Sequence, residues 1–260
     1  MNIRFALKKL YSLFCYLYSQ FFTILNFIIF KDKRIISEEK TYFKFHRKKN
    51  IVDLIKNLKL EKIEEKYQTI LIIEKDSLIK LCNFIFTSNF KNFLLRETGY
   101  RYSIDYLLIY KNKYLTKKLS NKSVYANKPH YDKPFSRNML KLIIPIGLKT
   151  KKNGALMIQN NKSNLKKNHF KQKYIPFLSS EIGTNIYGFN PRKTYHFAQP
   201  PEDKISSMHI MIQLNPAKNW LINKKIFDRQ FKIEPNFAEL RNFFFPNTHL
   251  KLSNAKLKNG

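Results

Sequence analysis

The stretch Ser206–Leu214, SSMHIMIQL, alternates two kinds of side chain along most of its length. One set is wholly apolar and occupies the even positions: Met208, Ile210, Ile212 and Leu214. The residues between them are His209, Met211 and Gln213. A repeat of two residues is typical of a β-strand with one buried face, because successive side chains point to opposite sides of a strand.

Segments similar to this one occur throughout the part of the chain after Gly99, where short runs of β-branched and aromatic residues are separated by turn residues. Five further strands are predicted: Ile104–Tyr110, Met139–Leu148, Ala155–Gln159, Thr184–Phe189 and Lys193–Ala198. Before Gly99, apolar residues with helical spacing predict one helix over Asn50–Tyr67 and a second from an Asp76 N-cap towards Leu95. Helices followed by strands predict an α+β domain whose core is a sandwich or double-sheet barrel. After Asn215 we expect a loop, a short helix over Phe237–Phe245 and a basic end.

Composition limits the class of protein. The chain has 260 residues, 43% of them hydrophobic, which is enough for a sizeable core and excludes a disordered or fibrous chain. Cys15 and Cys82 are too few for a disulfide framework, which favours a reducing compartment. No linker divides the chain, so residues 35–260 are predicted to form a single domain.

Lys and Arg together number 49 against 18 Asp and Glu, for a formal net charge of +31. Such a charge is expected of a protein that binds nucleic acid or an acidic membrane. However, Lys greatly outnumbers Arg, whereas Arg is the residue that reads bases with paired hydrogen bonds. Asn, Ile, Phe and Tyr are also abundant, and this composition is typical of AT-rich coding. A nucleic-acid partner is therefore disfavoured.

Residues 1–34 form a segment of their own, with basic residues on both sides of an apolar stretch from Leu10 to Phe30. The stretch is about as long as a membrane-spanning helix, which needs ~20 residues, but it contains several polar side chains. Aromatic residues recur in it at helical spacing. Three interpretations remain open: an amphipathic helix packed on the domain, a helix lying on a membrane surface, and a spanning helix.

His130 and Asp132 are the first candidates for chemistry, in the segment KPHYDKP at 128–134, just before the predicted strand Met139–Leu148. A loop at the end of a strand is a place where side chains converge while the sheet holds them rigidly. His196 lies far along the chain, before the strand Ser206–Leu214. Two imidazoles and one carboxylate on one face of an iron ion leave the other positions open, as non-haem Fe(II) oxygenases require. An ordinary surface turn is the alternative for His130 and Asp132.

At these residues the chain resembles a known family. Tyr125–Asp132 (YANKPHYD), Asn153–Leu156 (NGAL), His196 before Pro200–Pro201, and Met211–Leu214 (MIQL) look like the phytanoyl-CoA dioxygenase-like branch of the Fe(II)/2-oxoglutarate-dependent oxygenases. The resemblance covers about residues 100–216. It implies a double-stranded β-helix (jelly-roll or cupin-like) core with the N-terminal helices packed on it. It also implies iron held by His130, Asp132 and His196, and substrate oxidation coupled to conversion of 2-oxoglutarate to succinate.

One position departs from the family pattern. Members usually carry Arg or Lys about ten residues after the distal histidine, where the cation pairs with the far carboxylate of 2-oxoglutarate. Here that position is Ser206. Lys204 is the first candidate for the replacement anchor, and Arg192 and Lys141 are the others. The pocket candidates are Tyr125, Asn127, Tyr131 and His209.

These observations favour an oxygenase, most simply a hydroxylase acting on a small molecule, a lipid or a cell-envelope saccharide intermediate. Two rivals remain. One is a catalytically silent barrel of the same ancestry, suggested by Ser206, and the other is a basic protein that binds membrane surfaces or nucleic acid. Reduced iron and 2-oxoglutarate are cytoplasmic, so we expect a cytoplasmic protein, free or peripheral on the inner face of the membrane.

Overall fold

The computed structural model describes residues 41–58, 60–122, 124, 126–132, 139–147, 150–160, 173–179, 183–202, 208–217, 220, 222, 226–228 and 250–252. The predicted N-terminal helix in 1–34 and the predicted helix over Phe237–Phe245 lie outside these residues. Among the described helices, none is both long enough and apolar enough to cross a membrane.

Strands dominate the described part of the chain. The helices are α1 Val52–Lys56, α2 Lys75–Ile85, α3 Ser88–Thr98 and α4 Lys117–Ser120, with one 3-10 turn at Lys151–Asn153. The strands are β1 Tyr42–His46, β2 Leu60–Glu64, β3 Gln68–Ile73, β4 Arg101–Asn112, β5 Leu140–Ile146, β6 Leu156–Gln159, β7 Tyr174–Pro176, β8 Asn185–Phe189, β9 His196–Ala198, β10 Met208–Ala217, β11 Ile226–Asp228 and β12 Leu250–Leu252.

Two antiparallel sheets form the core. The larger has seven strands in the order β1-β8-β5-β10-β4-β3-β2, and the smaller has three in the order β7-β6-β9. A buried apolar cluster joins side chains of both sheets: Ile143, Leu156, Ile158, Phe177, Tyr187 and Phe189. Two packed antiparallel sheets whose strands cross over out of sequence order fit a jelly-roll or cupin-like core, as the sequence predicts.

Strand β10 lies between β5 and β4 in the centre of the large sheet. Its alternation is as predicted, but the expectation of one buried face is wrong. Ile210 and Ile212 pack with the helices in the main core, while His209 and Gln213, at 2% and 5% exposure, are buried as well. The small sheet covers the second face of the large one, so the polar side chains of β10 are enclosed between the two sheets.

Helices α2 and α3 cover the other face of the large sheet. Their fully buried side chains include Leu78, Leu81, Phe90 and Leu94, which share one core cluster with β5 and β10. The hydroxyl of Thr87 accepts a hydrogen bond from the Phe90 N–H and caps α3, and α3 ends at Gly99 in the left-handed conformation, with φ 76°.

The helical predictions before Gly99 need two corrections. Asn50–Tyr67 is not one helix, because only Val52–Lys56 is helical and Leu60–Glu64 is an edge strand paired with β3. A short apolar run fits either a strand or a helix, and pairing with β3 decides between them. The predicted helix from Asp76 begins instead at Lys75 and is broken before Ser88, where Thr87 adopts an extended backbone.

Strands β1, β2 and β3 also belong to the large sheet, so the sheet begins well before residue 100. The region after Asn215 differs from the expected loop as well. Strand β10 continues to Ala217, and β11 pairs with β12 in parallel. Pairing with distant strands is not visible in a local pattern, and the sequence pattern therefore does not predict these strands.

Gly188 of β8 faces the ring of Phe43 on β1. A Cβ atom at Gly188 would lie 2.0 to 2.6 Å from three ring carbons of Phe43, closer than real contacts allow. We therefore expect Gly188→Ala to lower the free energy of unfolding by about 1–3 kcal/mol, measured by urea denaturation. In the double variant with Phe43→Leu, the loss should be smaller than the sum of the two single losses. An alanine variant as stable as the parent would contradict this packing.

Candidate metal centre

His130 and His196 lie opposite each other on neighbouring strand segments. The His130 N–H donates to the His196 carbonyl and the His196 N–H donates to the His130 carbonyl, each at 3.1 Å. Such a reciprocal pair places two side chains on the same side of a sheet. The rings accordingly lie together, with centroids 4.5 Å apart.

Asp132 joins this pair because it is two residues after His130. In extended backbone, residues i and i+2 point the same way. The Asp132 N–H donates to the Pro191 carbonyl at 2.9 Å, which holds the extended segment against the chain that leads to β9. The fold therefore brings the three predicted ligands to one place.

The distances among the ligand atoms are short. Oδ1 of Asp132 lies 3.5 Å from Nε2 of His130 and 3.5 Å from Nε2 of His196. One ligand atom from each residue lies within 4.8 Å of the others, so this group could hold a metal ion. Two atoms each ~2.1 Å from one ion are about 3.0 to 3.4 Å apart at ligand angles of about 90° to 109°. The spacing to Asp132 is close to this range.

Both imidazoles are held by their other nitrogen. Nδ1 of His130 is 2.8 Å from the Lys128 carbonyl oxygen, and Nδ1 of His196 is 3.0 Å from the Thr194 carbonyl oxygen. A carbonyl oxygen only accepts, so Nδ1 carries the hydrogen in each ring, and this assignment follows from the partners. In the neutral rings Nε2 then presents a lone pair towards Asp132, which is the form that binds metals.

The donor set therefore fits a metal. Two nitrogen lone pairs and one carboxylate oxygen face each other, while the N–H groups of both rings point away to backbone carbonyls. Such an arrangement is repulsive unless a cation lies between the three atoms, and that cation is either a metal ion or a proton on one ring. A charge-assisted N–H···O bond is normally 2.7–2.9 Å long, shorter than the 3.5 Å found here.

The second oxygen of Asp132 has a different partner. Nζ of Lys141, on β5, contacts Oδ2, and the Lys141 side chain is only 12% exposed. Burial by itself raises the pKa of Asp132, but the neighbouring imidazoles of His130 and His196 and the charge of Lys141 outweigh it and hold that pKa well below its usual range.

The two histidines have opposite pKa shifts. The nearby carboxylate of Asp132 raises the pKa of His130, whereas burial lowers the pKa of His196. The exposure of the side chains explains the difference, since it is 32% for His130 and 4% for His196. His196 packs edge-on against Phe189, with centroids 4.9 Å apart. The group is thus closed on the His196 side and open to solvent on the His130 side.

The predicted pocket residues Asn127 and Tyr131 have partners other than the three ligands. Asn127 uses its side chain within its own loop, accepting from the Val124 N–H and donating to the Ser120 carbonyl. Tyr131 packs on Tyr195, and burial raises its pKa to about 12. Roles for these residues in a pocket stay predictions.

Among the predicted anchors for 2-oxoglutarate, Lys141 contacts a ligand, Asp132. Arg192 follows Pro191, whose carbonyl binds the Asp132 N–H, and its own N–H donates to Asn190 Oδ1. Lys204 and the pocket candidate Tyr125 lie outside the described residues. Sequence reasoning missed the roles of Lys128 and Thr194, because a carbonyl that orients a ring leaves no signature in side-chain identity.

No protein-family model and no curated protein matches this chain. Among solved structures it is similar to the non-heme alpha ketoglutarate dependent epimerase SnoN from nogalamycin biosynthesis, with 11% identity, TM-score 0.47, and coverage of 68% of this chain and 78% of SnoN. It is also similar to HygX from Streptomyces hygroscopicus, crystallised with nickel, 2-oxoglutarate and hygromycin B, with 6% identity, TM-score 0.46, and coverage of 74% and 89%.

A third similar structure is the non-heme alpha ketoglutarate dependent carbocyclase SnoK, with 12% identity, TM-score 0.44, and coverage of 68% of this chain and 80% of SnoK. SnoN has also been crystallised with Fe3+, alpha ketoglutarate and nogalamycin RO. These TM-scores are all below 0.5, so the chemistry proposed below depends on the side chains of His130, Asp132 and His196 themselves.

His209 is buried between the sheets, where Nε2 donates to the Gly154 carbonyl at 3.0 Å and the ring stacks on Tyr110. Burial lowers its pKa from 6.5 to about 4. The unfolded chain therefore binds more protons between these pH values, and stability falls as the pH drops from 6.5 towards 4.

We expect His209→Gln, whose amide can still donate to Gly154, to lack this contribution. The difference in unfolding free energy between parent and variant should change by up to about 3 kcal/mol from pH 7 to pH 4. Denaturant titrations at several pH values measure it. Parallel pH profiles for the two proteins would contradict the burial of a neutral imidazole.

Proposed function

We propose that this protein is a non-haem Fe(II)/2-oxoglutarate-dependent oxygenase that hydroxylates a small organic substrate. The observation that supports it most directly is the convergence of Nε2 of His130, Nε2 of His196 and Oδ1 of Asp132. Two imidazoles and one carboxylate on one side of an ion are typical of this class of iron enzyme, and they leave the remaining positions open.

When bound, the iron supplies a Lewis-acidic and redox-active centre at which O₂ and a 2-oxo acid meet. His130, Asp132 and His196 would be its protein ligands. The chain's own task is to orient these ligands and to exclude water from one side. The carbonyls of Lys128 and Thr194 hold the rings by Nδ1, and Phe189 covers His196.

The substrate would approach from the side of His130, since this is the ligand with the greater exposure. A hydroxylase needs such an asymmetry, because the closed side excludes water from the reactive centre and the open side admits the molecule that is oxidised. Nothing in the three ligands selects a substrate. A lipid or a cell-envelope saccharide is a narrower form of the proposal, motivated by the net charge of +31 and by the apolar stretch Leu10–Phe30.

Two further parts of the proposal come from the resemblance in sequence. The phytanoyl-CoA dioxygenase-like branch is the proposed subgroup, and 2-oxoglutarate is the proposed co-substrate. Its far carboxylate would need a cation, for which Lys204, Arg192 and Lys141 are the candidates. A cytoplasmic protein, free or on the inner membrane surface, agrees with these co-substrates.

A catalytically silent barrel is the second candidate function. Its support is the absence of Arg or Lys at position 206, where the family usually carries the cation that pairs with 2-oxoglutarate. Such a protein would bind a ligand between its sheets without turnover.

The decisive experiment measures succinate. We expect the purified protein, supplied with Fe(II) and 2-oxoglutarate, to release succinate even without a substrate, and His130→Ala to lose at least 100-fold of this activity. His130 is the more exposed ligand, so its removal should leave the fold intact. His46→Ala is the matched control, because His46 is an exposed histidine on β1 bonded to Asn185, and it should retain the parent rate.

Other outcomes separate the rivals. Metal binding without succinate would favour the silent barrel. A parent protein that binds no metal, but binds anionic liposomes or oligonucleotides in a salt-sensitive way, would favour a basic surface-binding protein.

A further inference from the structure

The two oxygens of Asp132 have separate partners. Oδ1 faces the two imidazoles at 3.5 Å from each Nε2, whereas Oδ2 contacts Nζ of Lys141. A carboxylate can give a metal either one oxygen or both. Here one of the two is already engaged by an ammonium group.

The position of Lys141 follows from its strand. On β5 it lies opposite Phe189 of β8 and Gln213 of β10. Its neighbours Leu140 and Leu142 belong to the helix-covered core, and alternation therefore directs Lys141 to the other side, towards the small sheet. The side chain is 12% exposed, and a Lys so enclosed normally has an anionic partner.

From this geometry we propose that Lys141 is a positioning residue for the carboxylate ligand. It occupies Oδ2, so that Asp132 would offer a metal Oδ1 alone, and its positive charge makes the three-ligand group less attractive to a bare divalent ion and more attractive to an anionic co-substrate. The inference deepens the proposed function and rests on it.

Two physical effects lead to this expectation. First, a metal ion and the ammonium group would share one carboxylate, and like charges on a shared partner repel each other strongly in a poorly hydrated site. Second, an Asp132 released from Lys141 could supply both oxygens, filling a position that a chelating 2-oxo acid would otherwise take. Loss of the cation thus affects metal and co-substrate in opposite directions.

Opposite changes in the affinities for metal and co-substrate distinguish this role from mere structural support. If Lys141 only kept the carboxylate in place, its removal would loosen the site and weaken both ligands, as loss of an orienting partner typically does by 10–100-fold. A positioning cation predicts that the metal binds more tightly and the anion more weakly.

The test compares Lys141→Met with Lys141→Arg, since Met keeps the length and apolar stem of the side chain and Arg keeps the charge. Ni²⁺ is titrated into the metal-free protein by calorimetry, and 2-oxoglutarate is then titrated into the Ni²⁺-loaded protein, where no turnover occurs. For Lys141→Met we expect a Ni²⁺ Kd at least tenfold lower and a 2-oxoglutarate Kd at least tenfold higher than in the parent. For Lys141→Arg both values should stay within about threefold of the parent.

A Met variant that binds both ligands more weakly, or both unchanged, would overturn the inference while leaving the proposed function intact. A parent protein that binds no Ni²⁺ would overturn the proposed function itself. Thermal melting verifies folding, and if Lys141→Met does not fold, Lys141→Gln carries the same expectations.

Discussion

The reciprocal backbone hydrogen bonds between His130 and His196 are the interaction on which the candidate site depends. They join a segment before β5 to β9, although the two are far apart in the chain, and they set the register that puts two imidazoles side by side. Because side chains alternate along extended backbone, a shift of one residue in this pairing would turn His196 to the opposite side. The approach of Asp132 follows from the same register, since it is two residues after His130.

The surroundings then give these ligands unequal environments. His196 is enclosed against Phe189, so desolvation dominates and lowers its pKa, while His130 is at the open side and the nearby carboxylate raises its pKa. Backbone carbonyls bind Nδ1 in both rings, which directs the two Nε2 atoms inwards whatever the exposure. The orientation of both rings therefore depends on main-chain carbonyls, whereas the carboxylate of Asp132 is engaged by a side chain, that of Lys141.

Lys141 connects the site to the centre of the large sheet. Its strand β5 lies between β8 and β10, so the position of the ammonium group is determined by the most extensively paired part of the fold. The chain carries a large excess of positive charge. Lys141, however, is not on the surface but enclosed beside the carboxylate of Asp132. This enclosure distinguishes Lys141 from exposed lysines such as Lys62 and Lys152.

The sequence by itself determined the local parts of this picture. The alternation in Met208–Leu214 predicted β10, and the spacing of His130 and Asp132 placed both on one side of any extended segment, because these patterns depend on backbone geometry within a few residues. Only the tertiary structure decided that Leu60–Glu64 is an edge strand, that both faces of β10 are buried, and that Lys141 contacts Asp132. Each of these depends on which distant strand lies alongside, and a short apolar or basic residue pattern is compatible with many partners until the sheets pack.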